Sequence, residues 1–126
     1  MVLVDTSVWI DYFRSGNKSV FLEPLVDSNE VCVNDLILAE LIPSIRHRKE
    51  VELENLLLQV HKISMNIDWT NIISMQVENL RHGINRVGIP DLIIAQNAMQ
   101  NNLTLYSLDK HFTLMKDCLP LKLFEG

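Results

Sequence analysis

Cysteine is scarce: Cys32 and Cys118 are the only two in 126 residues. That is too few for a disulfide framework, and no Cys-x-x-Cys or Cys/His spacing offers a zinc site. Cys32 lies in the apolar run Val31-Cys32-Val33, which reads as a buried strand, so both thiols are taken as structural. No apolar run approaches the roughly 20 residues that cross a bilayer. A cleavable signal segment is missing as well, because Asp5 and Asp11 interrupt the N-terminal region, and the expected location is cytoplasmic. There is no linker, low-complexity tract or internal repeat. The length suits one domain spanning 1–126, large enough to bury a substantial core.

Basic residues are also in deficit, 11 Lys and Arg against 16 Asp and Glu, for a net charge of −5. A protein that binds phosphates normally shows the opposite balance. Four of the acids, however, stand beside or within apolar segments: Asp5, Glu40, Asp91 and Asp109. If they share one pocket, most of the excess charge is confined there. Two divalent cations would neutralise it, so the acidic total is compatible with a metal-dependent nuclease.

Met1-Val2-Leu3-Val4 gives way at Asp5 to Thr6-Ser7, a first strand over 1–5 that ends in a carboxylate. In open α/β sheets ligands bind beyond the carboxyl ends of the strands, so an acid at that point is placed for chemistry. Thr6 or Ser7 is expected to cap a helix running through Val8, Trp9, Ile10, Tyr12 and Phe13. A short helix is predicted over about 18–27, bent by Pro24 unless that residue falls in a first turn. Glu30 to Val33 reads as a strand, after which Asn34 or Asp35 caps a helix carrying Leu36, Ile37, Ala39, Leu41 and Ile42. Pro43 interrupts this pattern and predicts a kink or break just past Glu40.

Helical periodicity returns at 50–60, and 61–65 reads as a weak strand. The clearest helix is expected over 68–86, with Trp69, Ile72, Ile73, Val77, Leu80 and Ile84 on one face. Pro90, suited to a first helical position after Gly88, opens a helix whose apolar first half is expected to be buried. Leu103 to Ser107 alternates as a strand, Asp109 to Met115 is a short helix, and Leu121 to Phe124 closes the chain as an edge strand. Strands alternating with helices imply an α/β fold with right-handed crossovers, a mostly parallel sheet and helices on both faces.

Asp91 falls in a first turn, where the helix dipole favours its ionised form. Glu40, within Leu38-Ala39-Glu40-Leu41-Ile42, is expected to share or border the inner face of its helix. Clustered carboxylates raise one another's pKa unless a cation sits between them. An all-oxygen set without histidine or cysteine suits Mg²⁺ or Mn²⁺, and phosphoryl transfer with one or two such ions is the chemistry that follows.

The runs Met1-Val2-Leu3-Val4-Asp5-Thr6-Ser7-Val8-Trp9, Leu38-Ala39-Glu40-Leu41, Pro90-Asp91-Leu92-Ile93-Ile94-Ala95 and Leu105-Tyr106-Ser107-Leu108-Asp109-Lys110-His111-Phe112 together resemble the PIN-domain ribonucleases. Within them the chain looks most like the VapC toxins of toxin–antitoxin modules. The likeness covers the whole chain, with the four acidic motifs in order. It implies a three-layer α/β/α sandwich and Mg²⁺-dependent cleavage of RNA. It further implies a homodimer and a cognate DNA-binding antitoxin whose tail occupies the nuclease groove. On this resemblance Asp5, Glu40, Asp91 and Asp109 form the catalytic quartet. Asp5 and Asp91 are direct metal ligands, while Glu40 and Asp109 act through metal-bound water. Ser107 and Thr6 support the ligands from behind. Two positions depart from the family pattern: Pro43, three residues after Glu40, and Gln96-Asn97, where relatives often carry small residues.

Blander readings exist for each residue. Asp5, Asp91 and Asp109 would serve as helix caps, and Arg46-His47-Arg48-Lys49 as a solvated helix end. His47, His61, His82 and His111 have no metal-ligand spacing and are assigned to the surface or to packing. An alternative function is a PIN-fold module that binds a partner while a kink at Pro43 impairs the site. A phosphatase of the haloacid dehalogenase type needs a second Asp two residues after the first, and Ser7 stands there.

Overall fold

The first apolar run forms strand β1 (Val2–Val4) in the computed structural model, which describes residues 1–126. Asp5 is the N-cap of helix α1 (Thr6–Phe13), with extended backbone and no capping bond from its side chain. The cap expected at Thr6 or Ser7 is thereby displaced by one residue, and both hydroxyls are free for other partners. Helix α2 (Leu22–Asp27) accommodates Pro24 in its first turn, where the missing N–H has no partner to lose.

Strand β2 (Val31–Val33) leads into helix α3 (Asp35–His47), whose N-cap Asn34 accepts the Ile37 N–H at 2.9 Å. Of the kink or break expected just past Glu40, the break does not occur: α3 runs on through Pro43 to His47. Proline removes the bond to the Ala39 carbonyl, but Ala39 and Pro43 are both exposed, so water replaces it at little cost. Glu40 is exposed too, so it borders the inner face of α3, bonded to Thr6, without sharing that face.

Helix α4 (Val51–Gln59) buries Leu57, and the third strand is reduced to β3 (His61–Lys62). Helix α5 (Trp69–Arg81) stops short of the predicted residue 86. Gly83 takes φ 71°, and Ile84 N–H bonds the Asn79 carbonyl at 2.8 Å while Gly83 N–H bonds that of Leu80. This is a Schellman termination, which needs a left-handed residue that glycine supplies without strain. Of the apolar face at 69–84, Ile72 and Ile84 are buried, but Trp69, Ile73, Val77 and Leu80 are exposed.

Helix α6 (Ile89–Gln100) has Pro90 at its second position, and Leu92 to Ala98 are buried without interruption. Strand β4 (Thr104–Tyr106), helix α7 (Lys110–Met115) and edge strand β5 (Lys122–Leu123) complete the chain. The sheet is wholly parallel in the order β3-β2-β1-β4-β5. Val2–Val4 and Val31–Val33 are buried on both faces, as parallel strands covered by helices must be. Right-handed crossovers put α1 to α4 on one face and α5 to α7 on the other, giving the three-layer α/β/α arrangement.

Gln96 and Asn97 are buried and satisfied. Gln96 accepts Asp68 N–H at 3.1 Å and donates to the Asp68 carbonyl and to Asn71 Oδ1. Asn97 donates to the Ser64 carbonyl at 3.0 Å and accepts from Asn34.

Candidate active site

The chain winds outward from β1 to β3, then crosses to the other side of β1 to lay down β4. Neighbouring strands therefore send their connections to opposite faces at the carboxyl ends of β1 and β4, and a crevice opens there. Asp5 follows β1 directly, and its N–H continues the ladder to the Tyr106 carbonyl at 2.9 Å. Asp109 follows β4 by three residues as the N-cap of α7, accepting the His111 N–H at 2.9 Å. Glu40 reaches the crevice from α3 in one layer, and Asp91 from the first turn of α6 in the other.

Asp5 is held from one side. Ser7 and Ser107 both donate to its Oδ2, at 2.9 and 2.8 Å, and no donor reaches Oδ1. The same hydroxyls accept the N–H groups of Leu108 and Asp109, at 2.9 and 3.0 Å. The buried carboxylate is thus oriented by two hydroxyls that also fix the loop carrying Asp109. Thr6 donates to Glu40 Oε1 at 2.9 Å, so it positions Glu40 and makes no bond to Asp5.

The carboxylates feel one another. Asp91 is pushed up to about 6, first by its own burial and then by the charges of Asp109 and Asp5, with a smaller contribution from Glu40 and a downward pull from His111. A cluster that raises a carboxyl into this range is held at a cost that a cation would remove. The donor set fits a divalent ion: Asp91 and Asp109 stand close enough to share one, the charges of Asp5 and Glu40 act on Asp91, and a nitrogen is available beside them. His111 Nδ1 is buried without a hydrogen-bond partner. It lies 3.3 Å from Asp109 Oδ1 and 3.9 Å from Asp91 Oδ2. Donor atoms of Asp91, Asp109 and His111 all fall within 4.8 Å of one another.

His111 is the residue that sequence spacing passes over, having been assigned to surface or packing. Its signal was the cap itself. Asp109 at the N-cap binds the His111 backbone and brings the ring back over the carboxylates, while buried Phe112 anchors the helix beneath. The basic run near the end of α3 divides. Arg46 is committed to Glu54 through two bonds of 2.8 and 3.2 Å, whereas Arg48 and Arg14 line a groove of about 160 Å³ that adjoins Glu40.

A family model described as the PIN domain matches residues 2–117. No curated protein sequence matches. Among solved structures, VapBC2 from Rickettsia felis bound to a promoter DNA fragment is similar at 21% identity and TM-score 0.76, covering 100% of this chain and 99% of that one. FitAcB from Neisseria gonorrhoeae follows at 20% identity and TM-score 0.72, over 99% and 97% of the two chains. VapBC-1 from nontypeable Haemophilus influenzae is 20% identical with TM-score 0.71, over 99% and 98%.

Proposed function

Because the chain belongs to the PIN domain family, we propose that it is a Mg²⁺- or Mn²⁺-dependent endoribonuclease, the toxin of a toxin–antitoxin module. The observation that carries this reading is the arrangement of Asp5, Glu40, Asp91 and Asp109 about one crevice, where burial and then the charges of Asp109 and Asp5 raise Asp91. Asp5, Asp91 and Asp109 would hold one or two ions, with Glu40 facing them from α3. Divalent ions so bound would supply an activated water and neutralise charge on the phosphodiester.

The protein's own part is positioning. Ser7 and Ser107 fix the Asp5 carboxylate, so that its open Oδ1 is aimed with little freedom. Thr6 holds Glu40 against the same edge. Carboxylates held this way would bind a divalent cation without first having to be ordered. Arg14 and Arg48, beside Glu40, would take phosphates flanking the scissile bond.

The partner reading is supported by the similar structures, one of which is a toxin–antitoxin complex from Klebsiella pneumoniae. A cognate DNA-binding antitoxin whose tail occupies the groove, together with a homodimer, is the assembly proposed for this single PIN domain. The exposed apolar row on α5 is of the kind that marks protein contacts. A cytoplasmic location goes with an RNA substrate, and no helix is long and apolar enough to cross a membrane. The impaired-module alternative is less favoured, since α3 continues through Pro43 and Glu40 is bonded to Thr6.

Purified protein incubated with RNA should cleave it in the presence of Mg²⁺ or Mn²⁺ and stop on chelation. Asp5→Asn should lower the rate at least 100-fold without unfolding the protein. Cleavage that persists through chelation and in Asp5→Asn would remove the assignment.

A further inference from the structure

We infer that His111 supplies a nitrogen ligand, through Nδ1, to the ion held by Asp91 and Asp109, and that the site thereby selects a transition ion such as Mn²⁺ over Mg²⁺. This rests on the metal-dependent reading above and adds a residue that the acidic quartet does not contain.

Three observations lead to it. The first is the orphaned nitrogen: Nδ1 is buried and makes no hydrogen bond, although Asp109 Oδ1 is only 3.3 Å away. A buried ring nitrogen without a partner is costly, and its alignment towards Asp109 is too poor to form a hydrogen bond. The second is spacing. Two donors on one ion at bonds of about 2.1 Å stand about 3 Å apart when adjacent and about 4.2 Å apart when opposite. The separations of 3.3 Å to Asp109 and 3.9 Å to Asp91 fall between those limits. The third is rigidity. The Asp109 carboxylate is bonded to the His111 backbone N–H at 2.9 Å, and Ser107 fixes the Asp109 N–H at 3.0 Å. The two donors are therefore built as one unit at the start of α7.

The consequence is selectivity. Mg²⁺ takes oxygen ligands almost exclusively, whereas first-row transition ions also accept imidazole nitrogen, Mn²⁺ least strongly and Fe²⁺ and Zn²⁺ more so. A site of oxygens alone would bind both classes with less discrimination. The ring must offer the Nδ1 lone pair, so its proton resides on Nε2, the nitrogen not enclosed by the carboxylates.

Full-length protein loaded with Mn²⁺ alone should show, by pulsed electron paramagnetic resonance, a coupling to a directly bound histidine nitrogen. That coupling should change isotope signature when histidine is ¹⁵N-labelled, and vanish in His111→Asn. Calorimetric titration of His111→Asn should show Mn²⁺ affinity weakened at least tenfold, with Mg²⁺ affinity changed by less than threefold. Wild-type protein that binds Mn²⁺ without nitrogen coupling overturns the inference and leaves the metal-dependent reading standing. So does a His111→Asn protein that keeps the coupling or loses both ions equally. Wild-type protein that binds neither ion, or binds them as tightly in Asp91→Asn, removes the metal-dependent reading itself. The wild-type spectrum decides the matter even if the variant folds poorly.

Discussion

Asn34 Nδ2 donates to Asn97 Oδ1 across 2.9 Å of protein interior. The bond ties the cap of α3, which carries Glu40, to the middle of α6, which carries Asp91. Each amide has a second duty: Asn34 accepts the Ile37 N–H, and Asn97 donates to the Ser64 carbonyl. The two layers that deliver acids to the crevice are thus joined through the sheet by a satisfied polar bridge, and a network of this kind is worth most when complete.

Asn97→Ala would leave the Asn34 amide and the Ser64 carbonyl without partners. Each orphaned group costs about 1–3 kcal/mol, so a loss of roughly 2–4 kcal/mol is expected. Urea denaturation should show a lower midpoint with an unchanged slope. A midpoint equal to that of the wild type would mean the bridge carries no net stability.

Asp91 makes the metal-free protein sensitive to pH. Its folded pKa, about 6, lies above the ordinary 3.8, so the folded state holds a proton that the unfolded chain releases. The associated stability is complete below about pH 4 and is lost as pH rises through 6, by roughly 3 kcal/mol at most. Asp91→Asn should therefore melt several degrees higher than wild type at pH 7.5 without metal, and at the same temperature near pH 4. Thermal scans with chelator at both pH values test this, and equal melting temperatures at pH 7.5 would contradict it.

Ser7 and Ser107 act together on Asp5. Removing either hydroxyl takes one donor from the carboxylate and one acceptor from a loop amide. Ser107→Ala is expected to weaken Mn²⁺ binding about tenfold, the usual effect of removing a group that orients a ligand. The hydroxyls stand 3.3 Å apart, so the double substitution should not be the sum of the singles. Calorimetric titration of the three variants measures the coupling.

Pro43→Ala restores an N–H that can bond the Ala39 carbonyl in a helix that already runs unbroken. A gain of less than about 1 kcal/mol is expected, since the missing bond is replaced by water and the freer unfolded chain offsets part of what is restored. RNA cleavage should be unchanged. A rise or fall in rate would show that the proline sets the position of Glu40 after all.

Much of the frame was legible in the sequence because it rests on local rules. A strand that ends in Asp5, a Pro90-Asp91 helix start and the Asp109 cap are each written in adjacent residues, and their alternation implies parallel strands. The clearest local signal also misled. The apolar periodicity at 69–84 marks an amphipathic helix correctly, yet cannot say whether that face meets the core or stays outside. The termination at Gly83 shortened the helix further.

By itself the sequence determined which segments become strands and helices and that three of the four acids, Asp5, Asp91 and Asp109, stand at or near their ends, since capping, periodicity and proline placement act within a few residues. Only the tertiary structure decided that β4 lies beside β1, which opens the crevice between Asp5 and Asp109. It alone turned Glu40 outward to meet Thr6, exposed the row on α5 and brought His111 Nδ1 to the carboxylates. Those outcomes depend on strand order and on how helices seat against the sheet, which are set by contacts between residues a hundred positions apart, such as Ser7 with Leu108.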